Sequence, residues 1–290
     1  MDEAIIRDDV EAVRQLIDEG ADIHARMGGF FEFTPLHLAA FSGSVEVVQF
    51  LIDNGANIEV GALGNSSPLY WAVSAAEEPV TLLLIKHGAN VNARSQSGVT
   101  PLHGTATTHR AEQKASLAKI LIENGAEIDS RENSGATPLH AVAIEGNLAV
   151  AEVLISHGAN VDATRENGST PLHHAAESGS GPLVELLLNN GAEVNARNKE
   201  GFIPLHNASG LGDQKVAEIL IDNGAEVNAQ TVYGETPLHW AAGNNHLPVV
   251  QLLIDRGANV NARNKRGATP LDAASDPEIQ ELLKQHSVKR

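Results

Sequence analysis

Apolar residues recur along the chain in blocks of one shape. The blocks read Val47-Val48-x-Phe50-Leu51-Ile52, Leu183-Val184-x-Leu186-Leu187-Leu188 and Val249-Val250-x-Leu252-Leu253-Ile254. Apolar positions at i, i+1, i+3, i+4 and i+5 make a broad stripe at helical period. Each block therefore predicts a short helix that needs a neighbour to cover it. A shorter helical stretch precedes it and opens on Pro-Leu, at 35, 68, 101, 138, 171, 204, 237 and 270, in steps of 33, 33, 37, 33, 33, 33 and 33. Thr before Pro starts a helix: its side chain accepts from an orphan amide, and Pro gives up an amide that had no partner. Pro79, Pro182 and Pro248 share a later column and Pro277 opens the last block, so no proline is expected inside a helix. Gly55, Gly88, Gly125, Gly158, Gly191, Gly224 and Gly257 close the blocks in the manner of left-handed helix ends. The polar, turn-rich residues that follow are too few for another helix pair and predict a protruding hairpin loop.

One such unit cannot bury its own stripe, so units must stack. The predicted fold class is all-α, an open solenoid of antiparallel helix pairs with hairpin tips along one edge. The recurring residues are T-P-L-H at 34–37, 100–103, 137–140, 170–173 and 236–239, and V-N-A at 91–93, 194–196, 227–229 and 260–262. These motifs resemble the ankyrin repeat, and the resemblance runs the length of the chain. It implies a single domain over 1–290 with nine repeats, about 1–28, 29–61, 62–94, 95–131, 132–164, 165–197, 198–230, 231–263 and 264–290. It also implies L-shaped repeats whose hairpin tips and first helices form a concave, protein-binding groove.

The departures from the pattern carry information. The first unit lacks T-P-L-H and places Gln15 in an apolar column, as a truncated cap would. The last has Thr269-Pro270-Leu271-Asp272 and a polar face of Glu278, Gln280, Glu281 and Lys284. Both ends read as capped, and the array as whole. Ser67-Pro68 and Ile203-Pro204 are variant openings. Ile203 has no side-chain acceptor, so its unit is expected to be weaker by about 1 kcal/mol. Two extra residues make a loop at Met27-Gly28-Gly29-Phe30-Phe31-Glu32-Phe33. Four more fall around Thr107–Lys114 and are expected in a loop.

Thirteen histidines raise the question of metal or acid–base chemistry. Six of them, His37, His103, His140, His173, His206 and His239, fill the T-P-L-H column. The resemblance gives that column a structural role, a hydrogen-bonded brace at the start of the first helix. Helices stack about 8–10 Å apart, whereas one zinc needs each nitrogen at about 2.1 Å. His173 and His174 are adjacent on a helix and diverge, so no metal site is expected. There is no nucleophile elbow, phosphate loop, zinc-protease helix or EF-hand loop, and no enzyme or cofactor is expected. The resemblance also allows that Asn92, Asn195, Asn228 and Asn261 are sites of hydroxylation; bracing of the hairpin is the preferred role.

Charge and composition narrow the function. The 290 residues carry 37 Asp+Glu against 20 Lys+Arg, a formal net charge of −17. That argues against binding nucleic acid or an anionic membrane. Without cysteine there is no disulfide, thiolate or Cys-ligated metal. The start lacks a secretory signal pattern and no apolar run approaches a membrane span, which points to a cytoplasmic protein. Arg94, Arg131 and Arg197 share a hairpin column with Arg26 and Arg263; the column reads either as a mixed solvated edge or as a track for an acidic peptide. Aromatic residues number only ten, and Phe50 alone sits in a second-helix apolar column. Phe30, Phe31, Phe33, Phe202 and Tyr233 fall in or beside hairpin tips, Phe41 near the end of a first helix, and Tyr70, Trp71 and Trp240 early on first helices. Phe30, Phe31, Phe33, Phe41 and Trp71 are expected to form one apolar contact site, and Tyr233 with Trp240 a second. The alternative for Phe30 and Phe31 is a fold-back that shields the first unit. The function expected is a non-enzymatic scaffold, a monomer that binds a protein or peptide in its groove. Alternatives are an acidic stoichiometric inhibitor of a basic enzyme or toxin, and a secreted bacterial effector.

Overall fold

The computed structural model describes residues 1–26 and 32–287. Among these residues the protein is all-helical, with seventeen α-helices and no strand. Tight contacts divide the chain into two compact units, 1–142 with 149–159, and 143–148 with 160–290.

The first unit holds α1 (Asp2–Ile6), α2 (Val10–Asp18), α3 (Pro35–Ser42), α4 (Val45–Asp53), α5 (Pro68–Ala75), α6 (Glu78–Lys86) and α7 (Ala111–Glu123). To it belong also residues 138–142 of α8 (Pro138–Glu145) and most of α9 (Leu148–Ser156). The second unit holds α10 (Pro171–Ser178), α11 (Gly181–Asn189), α12 (Pro204–Leu211), α13 (Gln214–Asp222), α14 (Pro237–Gly243), α15 (Leu247–Asp255), α16 (Pro270–Ala273) and α17 (Pro277–Ser287). In the second unit each first helix packs on its own second helix and on the next first helix. Thus α10, α12, α14 and α16 form one row, and α11, α13, α15 and α17 another.

Burial follows the sequence stripe, but more narrowly. In α4, Val47, Val48 and Leu51 are fully buried, while Ile52 is only half-buried. In α11, Leu183, Val184 and Leu187 are fully buried, with Leu186 and Leu188 on the flanks. The first helices contribute small residues, Ala39 and Ala40, Ala72 and Val73, Ala175 and Ala176, Ala241 and Ala242, all fully buried. Small side chains let consecutive first helices approach closely, so a core can be built with few rings. The helix ends behave as the glycines predict. At Gly224, with φ +90°, the Gly224 N–H donates to Ile221 O at 2.9 Å and the Ala225 N–H to Leu220 O at 3.0 Å. This is the paired closure that a left-handed residue permits. Hairpin tips are joined in each unit by one main-chain bond per step, among them Asn133 N–H to Ser97 O at 2.8 Å and Lys265 N–H to Tyr233 O at 2.8 Å.

The larger insertion departs from expectation. The stretch after Pro101 makes only a 3-10 turn, Pro101–Thr105, and part of the extra sequence is helix rather than loop. α7 runs 13 residues where α4, α6 and α9 each run 9. Ala111-Glu112-Gln113-Lys114 are strong helix formers, and Lys114 is drawn into the core at 1 % exposure with its ammonium on Thr107 Oγ1. The remainder, 106–110, turns through Arg110 at φ +55°. In the first unit Gln15 is exposed and bonds Glu19 at 2.8 Å.

Candidate binding surface

The T-P-L-H histidines link one repeat to the next. In the first unit the Thr34 N–H lies 3.3 Å from His37 Nδ1, and Thr34 Oγ1 lies 2.9 Å from it. A backbone N–H can only donate, so Nδ1 accepts and Nε2 carries the proton. That proton goes to Ser66 O, 3.1 Å away in the following repeat. The pattern recurs with His103 on Ala136 O at 3.3 Å, His173 on Phe202 O at 3.0 Å, His206 on Glu235 O at 3.2 Å and His239 on Ala268 O at 3.1 Å. Burial holds His37, His173 and His206 down to about 4, and lowers His103 and His239 as well. A neutral ring with both nitrogens bonded is a brace, not a free base or ligand. The variant opening keeps half of it. Ile203 loses the hydroxyl contact, but its N–H still donates to His206 Nδ1 at 3.2 Å, and its side chain is fully buried. In the last unit Asp272 stands in the histidine's place and accepts from Thr269 N–H and Oγ1, both at 2.8 Å. Those bonds lower its pKa.

The hairpin columns brace in the same way. Asn92 Nδ2 donates to Gly125 O at 2.9 Å while its Oδ1 accepts from Glu127 N–H at 2.8 Å. Asn195 and Asn228 repeat this with Gly224 and Glu226, and with Gly257 and Asn259. Asn261, without a further hairpin, is exposed. Arg94 Nη2 donates to Arg131 O at 2.5 Å, Arg131 Nη1 to Gly135 O at 3.0 Å, and Arg197 Nη1 to Gln230 O at 3.0 Å. Arg197 also pairs with Glu226 at 2.8 Å. Arg94 and Arg197 thereby tie neighbouring hairpins together, and Arg131 braces its own.

The aromatic residues gather in two places. In the first unit Phe33, Phe41 and Trp71 pack mutually, with ring centroids 6.1, 4.8 and 6.0 Å apart for Phe33–Phe41, Phe33–Trp71 and Phe41–Trp71. Phe41 remains 44 % exposed. Phe30 and Phe31, expected in the same cluster, lie outside the described residues. Tyr70 is half-buried beside Gly104, and burial raises its pKa. It packs between repeats rather than facing outward with Phe41. In the second unit Phe202 meets Trp240 edge-on at 5.1 Å and lies 5.4 Å from His206. Tyr233 stands at a hairpin tip, 56 % exposed, and is not in ring contact with Trp240.

A family model for ankyrin repeats in three copies matches residues 1–95, 69–165, 102–198, 161–231 and 205–289. Together the matches cover almost the whole chain. It belongs to the ankyrin-repeat family. No curated protein matches it. Ankyrin repeats are in general protein–protein interaction modules and are typically not enzymes. Among the described residues no three His, Asp or Glu side chains gather where they could hold a metal ion. His174 lies 3.5 Å from Glu177 and 3.3 Å from Arg165, an interaction within the ankyrin face that the repeat pattern does not announce. No described helix is long and apolar enough to cross a membrane.

Sequence reasoning missed what surrounds Trp240. Two depressions of about 380 and 290 Å³ share Trp240 and Asn244. Leu211, 48 % exposed, lines the larger one. Leu211 stands at the end of a first helix, just after the column of Phe41, where an apolar residue is not needed for stacking. That column was the available signal.

Proposed function

We propose that this protein is a non-enzymatic binding module whose first helices and hairpin tips dock a protein or peptide partner. The observation that supports it is the placement of the rings. A chain with ten aromatics builds its core from Leu, Val, Ile and Ala, and sets Phe33, Phe41 and Trp71, and separately Phe202 and Trp240, on first-helix and hairpin positions. Aromatic anchors dominate binding energy at protein interfaces, and exposed apolar clusters mark contact sites. Arg94 and Arg131 in the first unit and Arg197 in the second stand on hairpins and would contact acidic groups of a partner.

The test uses the protein as bait, with partner affinity and melting measured on each variant. Phe41→Ala and Trp240→Ala are expected to weaken association about tenfold or more each, the scale of an interface anchor. Glu185→Lys, exposed on a second helix, is expected to leave it unchanged. If both alanine variants melt lower but bind as before, the rings are structural and the reading is wrong.

A second reading rests on the acidic charge. In the first unit a depression of about 670 Å³ on the second-helix side has five carboxylates in its lining, Asp8, Asp9, Glu11, Glu46 and Asp53, against the one cation of Arg14. An inhibitor of a basic enzyme would use that side. Its association would fall steeply with salt and would be lost with Glu46→Lys, not with Phe41→Ala.

A further inference from the structure

The inner side of the second unit has a chemistry of its own. Its two adjoining depressions have Phe202, Leu211 and Trp240 as an apolar floor. The fixed charges that line them are both carboxylates, Glu177 in one and Glu235 in the other. The lining imidazoles of His206 and His239 are kept neutral by burial and the bonds described above. Among the described residues the Glu235 carboxylate has neither an ion pair nor a hydrogen bond, and Glu177 is exposed. A third depression of about 310 Å³ shares Glu235 and adds Tyr233, Lys265 and Arg266, so cations outnumber the carboxylate there by two to one. On α12 and α14, Asn207 Oδ1, Ser209 Oγ and Trp240 Nε1 are buried with no hydrogen-bond partner. Unpaired buried polar atoms are rare in folded proteins and ask for a reason. A face shaped for stacking alone would have neither an exposed leucine beside an indole nor a carboxylate on each side of it, Glu235 without a partner and Glu177 held only by His174 at 3.5 Å.

We propose that this face binds an extended protein segment that sets an arginine or lysine against Glu177 and Trp240. A leucine-sized neighbour of that residue covers Leu211 and Phe202, and an acidic residue follows at Lys265 and Arg266. The cation gains from the carboxylate and from the indole face, and an indole is the best ring for such a contact. Charge complementarity makes the choice: an acidic segment would meet a carboxylate in each depression, Glu177 in one and Glu235 in the other. The inference rests on the reading that first helices and hairpin tips are the docking side, and it adds the chemistry of the occupant.

The experiment isolates Trp240 fluorescence in a Trp71→Phe background. The probes are synthetic 12-residue peptides in a Gly/Ser/Ala background. One contains Arg, two Leu and one Glu, in both chain directions; a second has Glu in place of Arg; a third has Ser in place of both Leu. Expected is a saturable shift of Trp240 emission with the first peptide in one direction, and binding at least tenfold weaker for the other two. Glu177→Lys is expected to invert the preference between the first and second peptides while the melting temperature stays that of the parent. Equal binding of the first and second peptides, an unchanged preference in Glu177→Lys, or no shift with any peptide would overturn the proposal. In that event, loss of a protein partner on Phe41→Ala and Trp240→Ala would leave the general docking reading standing, and its retention would remove both.

Discussion

At the residue scale, the column histidines set the acid limit of the fold. His37, His173 and His206 have folded pKa values of about 4, first because they are buried; nearby Arg26, His174 and Arg197 push the same way. An unfolded histidine titrates near 6.5. The folded value is depressed, so the stability these neutral rings contribute is complete above about pH 6.5 and is lost as pH falls toward 4. One pKa unit is about 1.4 kcal/mol, and at pH 5 each ring has cost about 2 kcal/mol. Protonation also turns Nδ1 from an acceptor into a donor facing a backbone N–H, which breaks the helix start it braces. His206→Gln retains an acceptor for the Ile203 N–H, but not the reach to Glu235 O. It is expected to be less stable at pH 7 by about 1–3 kcal/mol. Its stability should then fall between pH 7 and 5 by about 2 kcal/mol less than that of the parent. Urea unfolding of both proteins at the two pH values measures the double difference, and a parent equally stable at both would refute the argument.

At the element scale, the repeat makes each helix pair depend on its neighbours. α11 buries Leu183, Val184 and Leu187. Replacing Leu187 by Ala should cost about 2–5 kcal/mol through lost burial and a cavity. In a stack that damage is shared with adjoining pairs first, so hydrogen exchange should quicken in α10 to α13 well before α16 and α17. Equal quickening throughout the unit would show longer-range cooperativity. The same elements mark what could be read in advance. The 33-residue step, Thr-Pro starts and glycine ends place almost every helix, because each is a local rule with no competitor. α7 escaped, since an insertion rich in Ala, Glu, Gln and Lys is polar enough to look like a loop and helix-forming enough to lengthen the helix after it. The aromatic cluster around Trp71 could be anticipated from its column. The cavities beside Trp240 were legible only in part: the column of Leu211 marks an apolar residue that stacking does not need, but the hollows beside Gly210 and Gly243 depend on which way side chains face, on which periodicity is silent.

At the scale of the whole molecule, the charge of −17 opposes the core. Two unit charges about 20 Å apart in water repel by about 0.2 kcal/mol. Each such pair is weak, but a large surplus of carboxylates on a folded surface makes many of them. The ion pairs work the other way. Those formed by Arg and Lys, such as Arg7–Glu3, Arg14–Glu11 and Lys119–Glu123, are largely exposed, and exposed pairs contribute about 0–1 kcal/mol each. Salt screens both. The Debye length falls from about 30 Å at 0.01 M to about 8 Å at 0.15 M, so the repulsions between distant carboxylates fade most, while close pairs and the carbonyl-bound guanidiniums of Arg94 and Arg197 are screened least. Repulsion therefore loses more than attraction does. Raising sodium chloride from 0.01 to 0.15 M at pH 7 is expected to stabilise the protein by about 1–2 kcal/mol, or raise its melting temperature by about 2–6 °C. Scanning calorimetry at the two salt concentrations reads this directly. A lower melting temperature at 0.15 M would mean that the surface pairs, not the surplus charge, govern the electrostatics of this array.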